Sequence, residues 1–295
     1  MHIFLASVGF GLVTASILAF GALGFTLQFG ITNVFNLAFG DIMTASALVA
    51  YGIRVSTGNT WIAIVGAALA GAVLSLVLQR GLIRPCLRRG TRPFGLVIVT
   101  LAAGLIVQNG MVAITGARYF TFAVAAPNGI NVGGVDLTLA QLATIGAAVA
   151  AMGSVHALLR YTRMGKAMRA TASEPELAQD CGIPTNRVIT VAWLVSGLFC
   201  GLAGVLLVID TVTFEATTGA TFAVIVIAAA IFGGIGEPYG AMLGALVLGL
   251  ITEIIAAYIN PAYKDVFAFA VLVVVLVTRP RGLRGTLREI AGGAT

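Results

Sequence analysis

RYTRMGKAMRATASEPELAQDCGIPTNR, residues 160–187, is a polar island between two long apolar segments, and it holds five of the chain's 17 Lys and Arg residues. Within it, Glu174 to Gly182 reads EPELAQDCG. Ser173 is placed to cap a helix whose first turn carries Glu174, Pro175 and Glu176. Proline is tolerated there because its missing N–H would be unpaired in any case. The two acids suit the positive end of a helix. Gly182 can stop the helix in a left-handed conformation, and Pro184 prevents an immediate restart. The island is thus expected to carry a short helix of about two turns outside the membrane. Such a helix is offered to a partner, or the island is simply a solvated loop.

The surrounding chain decides the fold class. Of its 295 residues, 59% are hydrophobic and 9% charged, with mean hydropathy +1.03. Soluble domains carry about 25% charged residues, so no soluble fold hides this much apolar surface. A membrane protein must satisfy its backbone internally, as a helix bundle or a closed barrel. Runs of about 20 apolar residues fit helices crossing a core about 30 Å thick. Barrel strands would alternate every second residue, and these runs do not. The reading is an all-α polytopic bundle of about 8–10 transmembrane segments.

Nine apolar segments are expected, near residues 4–29, 34–53, 61–79, 94–115, 137–159, 188–209, 220–235, 239–257 and 265–278. The N-terminal stretch lacks a basic region and reads as part of the first span. Gly30 to Asn36 interrupts the first long apolar run. Asn33, Asn36 and Asp41 then mark either a discontinuous helix bordering a cavity or a stretch at the interface with Asp41 among headgroups, since a buried carboxylate in hydrocarbon costs about 2.5–3.5 kcal/mol on insertion scales. Trp61 suits an interface. Gln108 and Asn109 suit hydrogen bonds across helices. Pro127, Asn128, Gly129, Gly133 and Gly134 mark turns in a longer loop. Gly236, Gly240 and Gly244 recur every fourth residue, a ridge that allows close helix approach.

The net charge of +6 does not call for nucleic acid. Clusters at 80–92, 160–187 and 279–288 hold fourteen of the basic residues, beside apolar spans, so topology explains them. The positive-inside rule puts all three in the cytoplasm, with the N-terminus outside and the C-terminus inside. Cys86, Cys181 and Cys200 lack metal-ligand spacing, and two fall in cytoplasmic segments, which argues against a disulfide framework. His2 and His156 are unaccompanied. No GxxxxGK[ST] sequence is present, so any ATP that drives this chain binds another one.

Four stretches carry a resemblance. Glu176-Leu177-Ala178-x-x-x-Gly182 resembles the EAA-x-x-x-G loop of ABC importer permeases, and residues 165–188 resemble that loop in Liv-type permeases for branched-chain amino acids. FNLAFGD at 35–41 is similar to the family's (I/V)NFAHGE segment, FGGIGEPYGAMLGALVLGL at 232–250 to its FGG-GS-PGA-LGG stretch, and RPRGLRG at 279–285 to its terminal RPQGLFG. They occur in family order over most of the chain. Three positions depart from the pattern: Phe39 stands for the usual His, Asp41 for Glu, and Leu177 for the first Ala of the triplet.

The resemblance implies a type II ABC importer permease-like fold, one transmembrane domain over 1–295 with a cytoplasmic coupling loop at 160–187. It implies two ATPase subunits, a second homologous permease (or a second copy), an extracytoplasmic solute-binding protein and a bacterial inner membrane. ATP is used by the ATPases, and no cofactor is bound by this chain. In that reading Ala178 packs into an ATPase groove, Gly182 sets the exit turn, and Arg169, Glu174, Glu176 and Arg187 make rim contacts. Asn33, Asn36 and Asp41 line the path, with Gln108 and Asn109 behind them. The substrate is a branched-chain or other hydrophobic amino acid; related permeases for urea, short amides or aromatic acids are the alternative. A rival of another class is an ion-coupled carrier using Asp41, Glu237 and Glu253, although no internal repeat supports it. A membrane enzyme would need a clustered catalytic set, and none is visible.

Overall fold

A computed structural model describes residues 2–122, 130–132, 135–258 and 263–278. The turn residues at 127–129 and 133–134, the RPRGLRG segment and the basic cluster at 279–288 lie outside them. The described chain is almost wholly helical. Its elements are α1 (His2–Thr32), α2 (Phe39–Thr57), α3 (Thr60–Leu78), α4 (Arg84–Arg88), α5 (Pro93–Thr115), α6 (Leu139–Tyr161), α7 (Arg163–Ser173), α8 (Pro175–Asp180), α9 (Thr185–Thr211), α10 (Thr218–Gly233), α11 (Pro238–Tyr258) and α12 (Lys264–Thr278). Two antiparallel pairs of very short strands complete it: β1 (Phe120–Thr121) with β4 (Thr213–Phe214), and β2 (Ile130–Val132) with β3 (Val135–Leu137).

Six helical stretches are long and apolar enough to cross a membrane: Phe4–Thr32, Thr60–Arg88, Pro93–Thr115, Leu139–Tyr161, Thr185–Thr211 and Pro238–Tyr258. The remaining three expected segments are α2, with 19 residues, α10, with 16, and α12, with 15. At about 1.5 Å per residue the last two fall short of a full hydrocarbon core. The third span does not stop at Arg80 as expected. Pro85 offers no N–H to the carbonyl of Gly81, so the helix widens into a π turn over Gln79–Ile83, with Arg84 N–H donating to Gln79 O, and continues through Arg88.

The core is built on α1, which packs along α9 and α11, while α3 lies along α9 and α2 fits between α3, α9 and α10. Hydrocarbon supplies no hydrophobic drive between helices, so close packing must hold them. Glycine provides it in the α3–α9 seam. A Cβ on Gly197 would stand 2.4 Å from Gly71 O, and one on Gly201 only 2.2 Å from Ala67 O. Gly240 and Gly244 approach α10 in the same way, against Gly233 and Ala229. Gly236 is not part of that ridge. It precedes α11, in a turn at φ +88, because Pro238 starts the helix.

The strand pair β1–β4 joins the C-terminal ends of α5 and α9, and Tyr51, near the end of α2, stacks edge-on against Phe120 and Phe214 of that pair. α7 sits at the opposite end, on α6 and the start of α9. Since α3 descends from the α2–α3 turn, its arginine-rich end lies at the α7–α8 end too.

Candidate functional site

The polar island folds into two helices rather than one. Thr162 caps α7, accepting from Gly165 N–H at 2.9 Å. Gly165, Met168 and Thr171 form its buried face. A Cβ on Gly165 would stand 2.1 Å from Leu158 O, so α7 lies directly on the end of α6. Ser173 is the last residue of α7, and Glu174, with an extended backbone at φ -140, occupies the N-cap of α8 in its place. Pro175 follows at the first helical position. The end of α8 is a Schellman turn: Ile183 N–H donates to Ala178 O (3.0 Å) and Gly182 N–H to Gln179 O (2.9 Å). Gly182 is left-handed at φ +82, with no atom near the place of its missing Cβ.

Only Ala178 of α8 is buried, at 5% exposure. It faces the protein's own α7–α9 framework, which corrects its assignment as the residue entering a partner's groove. A helix turns about 100° per residue, so its neighbour Leu177 points outward, 61% exposed. Arg169, Glu174, Glu176 and Arg187 are exposed around it. Among the described residues none of these four is ion-paired.

The membrane-embedded candidates divide. The break after α1 begins at Asn33, exposed and left-handed at φ 53, a conformation asparagine tolerates. Asn36 is fully buried and donates to Gln28 Oε1 (3.2 Å), which also accepts from Ser196 Oγ of α9 (3.3 Å). Asp41 is buried in the first turn of α2. It stands beside Gly104 of α5, where an added Cβ would meet Asp41 Oδ2 at 2.2 Å. Among the described residues Asn36 Oδ1, Gln28 Nε2 and Asp41 Oδ1 have no hydrogen-bond partner. Gln108 is half-buried, one turn beyond Gly104. Asn109 does not bond across helices, because its exposed amide turns back to Leu105 O of its own helix (2.7 Å).

Sequence reasoning missed what holds this break. Thr100 of α5, fully buried, accepts from Leu37 N–H (3.3 Å), and its hydroxyl lies 3.2 Å from Phe35 O. Phe39 closes the region from the inside, edge-on to Phe25 at 5.9 Å between ring centres. It is therefore a core residue, not one lining a path. Gln28 was visible in a run without charges; nothing in the sequence marked Thr100.

The carboxylates of the carrier reading are differently placed. Glu253 is ion-paired with Lys264 and accepts from Thr14 Oγ1 (2.6 Å). His156 bonds the Tyr239 hydroxyl through Nδ1 (2.9 Å). Among the described residues no group of three His, Cys, Asp or Glu side chains could hold a metal.

The described residues thus form a bundle with six helices long and apolar enough to cross a membrane and a short helix exposed at one end. The chain belongs to the family of branched-chain amino acid transport system permease components, whose model matches residues 7–276. It is a multi-pass inner-membrane permease subunit of an ABC importer, which sets aside the ion-coupled carrier. Among its relatives, the high-affinity branched-chain amino acid transport system permease protein LivH of Salmonella typhimurium is 30% identical over 96% of both chains. BraD of Pseudomonas aeruginosa, named for the same kind of system, is 27% identical over 93% of this chain and 94% of its own. The ribose import permease protein RbsC of Escherichia coli is more distant, 23% identical over 89% of this chain and 81% of its own. No solved structure matches the chain.

Proposed function

We propose that this permease carries branched-chain or similar hydrophobic amino acids inward, and that α8 is the coupling helix through which a separate ATPase drives it. The observation that carries the coupling is the one-sidedness of α8. A helix of six residues is too short to be stable alone in water; it is held by its C-terminal Schellman turn and by Ala178, and it leaves Leu177 uncovered. Leu177 enters the ATPase groove, while Arg169, Glu174, Glu176 and Arg187 contact its rim. Gly182 sets the exit turn that ties α8 to α9. The tight seat of α7 on α6 makes the loop rigid enough to transmit a push.

The remaining partners follow from the same reading: two ATPases, a second permease subunit or copy, and an extracytoplasmic binding protein. ATP binds the ATPases. The arginines at the ends of α3 and α6, together with the tail cluster at 279–288, favour a cytoplasmic coupling loop and C-terminus. The name of the LivH relatives supports the substrate class.

The test is copurification in a mild detergent with Leu177→Asp. Wild type should bring down an ATPase and a second permease. The variant should keep the permease and lose most of the ATPase, about a tenfold drop if one buried apolar anchor goes, within the usual range for such a residue. ATPase retained at the wild-type level would refute α8 as the docking element.

A further inference from the structure

Four arginines line an open hollow at the end of α3, Arg80, Arg84, Arg88 and Arg89, together with Pro85. Topology explains why arginines are at this end. It does not explain their convergence. Arg80 stands in the π turn and Arg84 and Arg88 follow it at four-residue intervals, so three like charges stack along one side of a continuous helix. Like charges at that spacing destabilise a helix unless an anion sits between them. Among the described residues none of the four is ion-paired with an acid. Arg84 is the telling member. Its Nε is buried and has no hydrogen-bond partner among the described residues, while its side chain borders the hollow.

The same helix leads into the hollow along an apolar track. Val65, Leu69, Val73 and Val77 recur every fourth residue, each more than half exposed, and Trp61 stands uncovered at the far end. From Trp61 to Val77 this track runs for about 24 Å at the rise of an α-helix, roughly the length of an extended acyl chain. It ends one turn before Arg80. An apolar track delivering into a cluster of guanidinium forks matches a phospholipid: chains on the track, phosphate among the arginines. Arg presents donors in a planar fork suited to phosphate oxygens, and basic hollows beside membrane helices suit anionic headgroups.

We infer that Arg80, Arg84, Arg88 and Arg89 form a binding site for a phosphate anion, carried to the protein as the headgroup of an anionic phospholipid. The site is independent of α8 and of the substrate. It orders the π turn and α4 by placing a counter-ion between charges that otherwise repel.

The test is native mass spectrometry of the full chain purified in a mild detergent with its copurifying subunits. The protein is delipidated and titrated with phosphatidylglycerol, phosphatidylcholine or inorganic pyrophosphate. Wild type should bind phosphatidylglycerol about tenfold tighter than phosphatidylcholine. The triple variant Arg80→Gln, Arg84→Gln, Arg88→Gln should lose that preference. The all-Lys triple variant keeps the charge and the topology, so it guards against misinsertion; it should bind several-fold more weakly than wild type because the forks are gone. If wild type binds pyrophosphate in an arginine-dependent way but shows no preference for phosphatidylglycerol, the lipid source is overturned and a soluble phosphate is the ligand. If phosphatidylglycerol is preferred and millimolar pyrophosphate competes with it, the headgroup phosphate sits among the arginines, as inferred. Equal lipid preference in wild type and both variants overturns the site, and is the result expected if a second permease covers this face instead.

Discussion

Four residues, 181–184, separate two helices that meet their surroundings in opposite ways. α9 buries most of its residues between Trp193 and Val208 and touches α3 backbone to backbone through Gly197 and Gly201, and α2 through Gly204. α8 buries one residue and has open space at its terminal glycine. The same residue type therefore does different work on the two sides of the link. Glycine in α9 is selected for the absence of a Cβ, because neighbouring backbones occupy the volume. Gly182 is selected for its sign of φ, because nothing else is near. A helix in hydrocarbon is held by what it touches; a six-residue helix in water is held by its C-terminal turn and by the one side chain it buries.

The contrast breaks most sharply at Gly201. Leucine there has to displace Ala67 O, a backbone atom that cannot swing aside, so the cost sits at or above the upper end of the roughly 1–3 kcal/mol typical of overpacking. Thermal unfolding of the detergent-purified variant should show a large drop in Tm or no folded protein at all. A normal Tm would mean that the α3–α9 seam is looser than it looks. Gly182→Val comes next. A β-branched residue held left-handed costs about 1–2 kcal/mol, confined to the exit turn of α8. Membrane abundance should stay near wild type while uptake falls severalfold; Gly182→Asn, which tolerates this φ, should recover most of it. If uptake and abundance fall together, α8 is part of the fold rather than an appendage to it. The smallest effect is at Thr100, whose hydroxyl ties α5 to the break between α1 and α2. Thr100→Val should cost about 1 kcal/mol, the net worth of a typical hydrogen bond, and Thr100→Ser should restore it. A Tm unchanged by Thr100→Val would show that the phenylalanine cluster alone holds the break.

The local features of α8 could be read in advance because they depend on neighbours in the chain. Pro175 and Gly182 restrict or permit backbone angles wherever they occur. What a helix of six residues cannot announce is its facing, since no periodic pattern fits into so short a span; that Ala178 is buried and Leu177 exposed could not be read for that reason. α7 went unseen because its buried face is Gly165, Met168 and Thr171, with only one large apolar side chain to signal a stripe. The glycine series at 236, 240 and 244 looked uniform, yet Pro238 divides it into a turn residue and two packing residues. The π turn was hidden inside a cluster of arginines that reads as a loop by composition.

Residue order alone was enough for the membrane environment, for the nine apolar segments, for a short helix near 174–181 and for the family. Hydropathy, backbone restriction and short motifs are properties of a few adjacent residues, so they survive without a fold. The pairing of polar groups does not. Glu253 is matched by Thr14 at a separation of 239 positions, and Thr100 reaches the break 63 positions away. Gln28 meets Ser196 across 168. Each bond depends on how long helices are inclined and how closely glycine lets them approach, quantities set by the packing of the whole bundle. The convergence of the four arginines at the end of α3 belongs with these: their charge was plain in the sequence, and only the continuation of the helix through Arg88 brings them around one hollow.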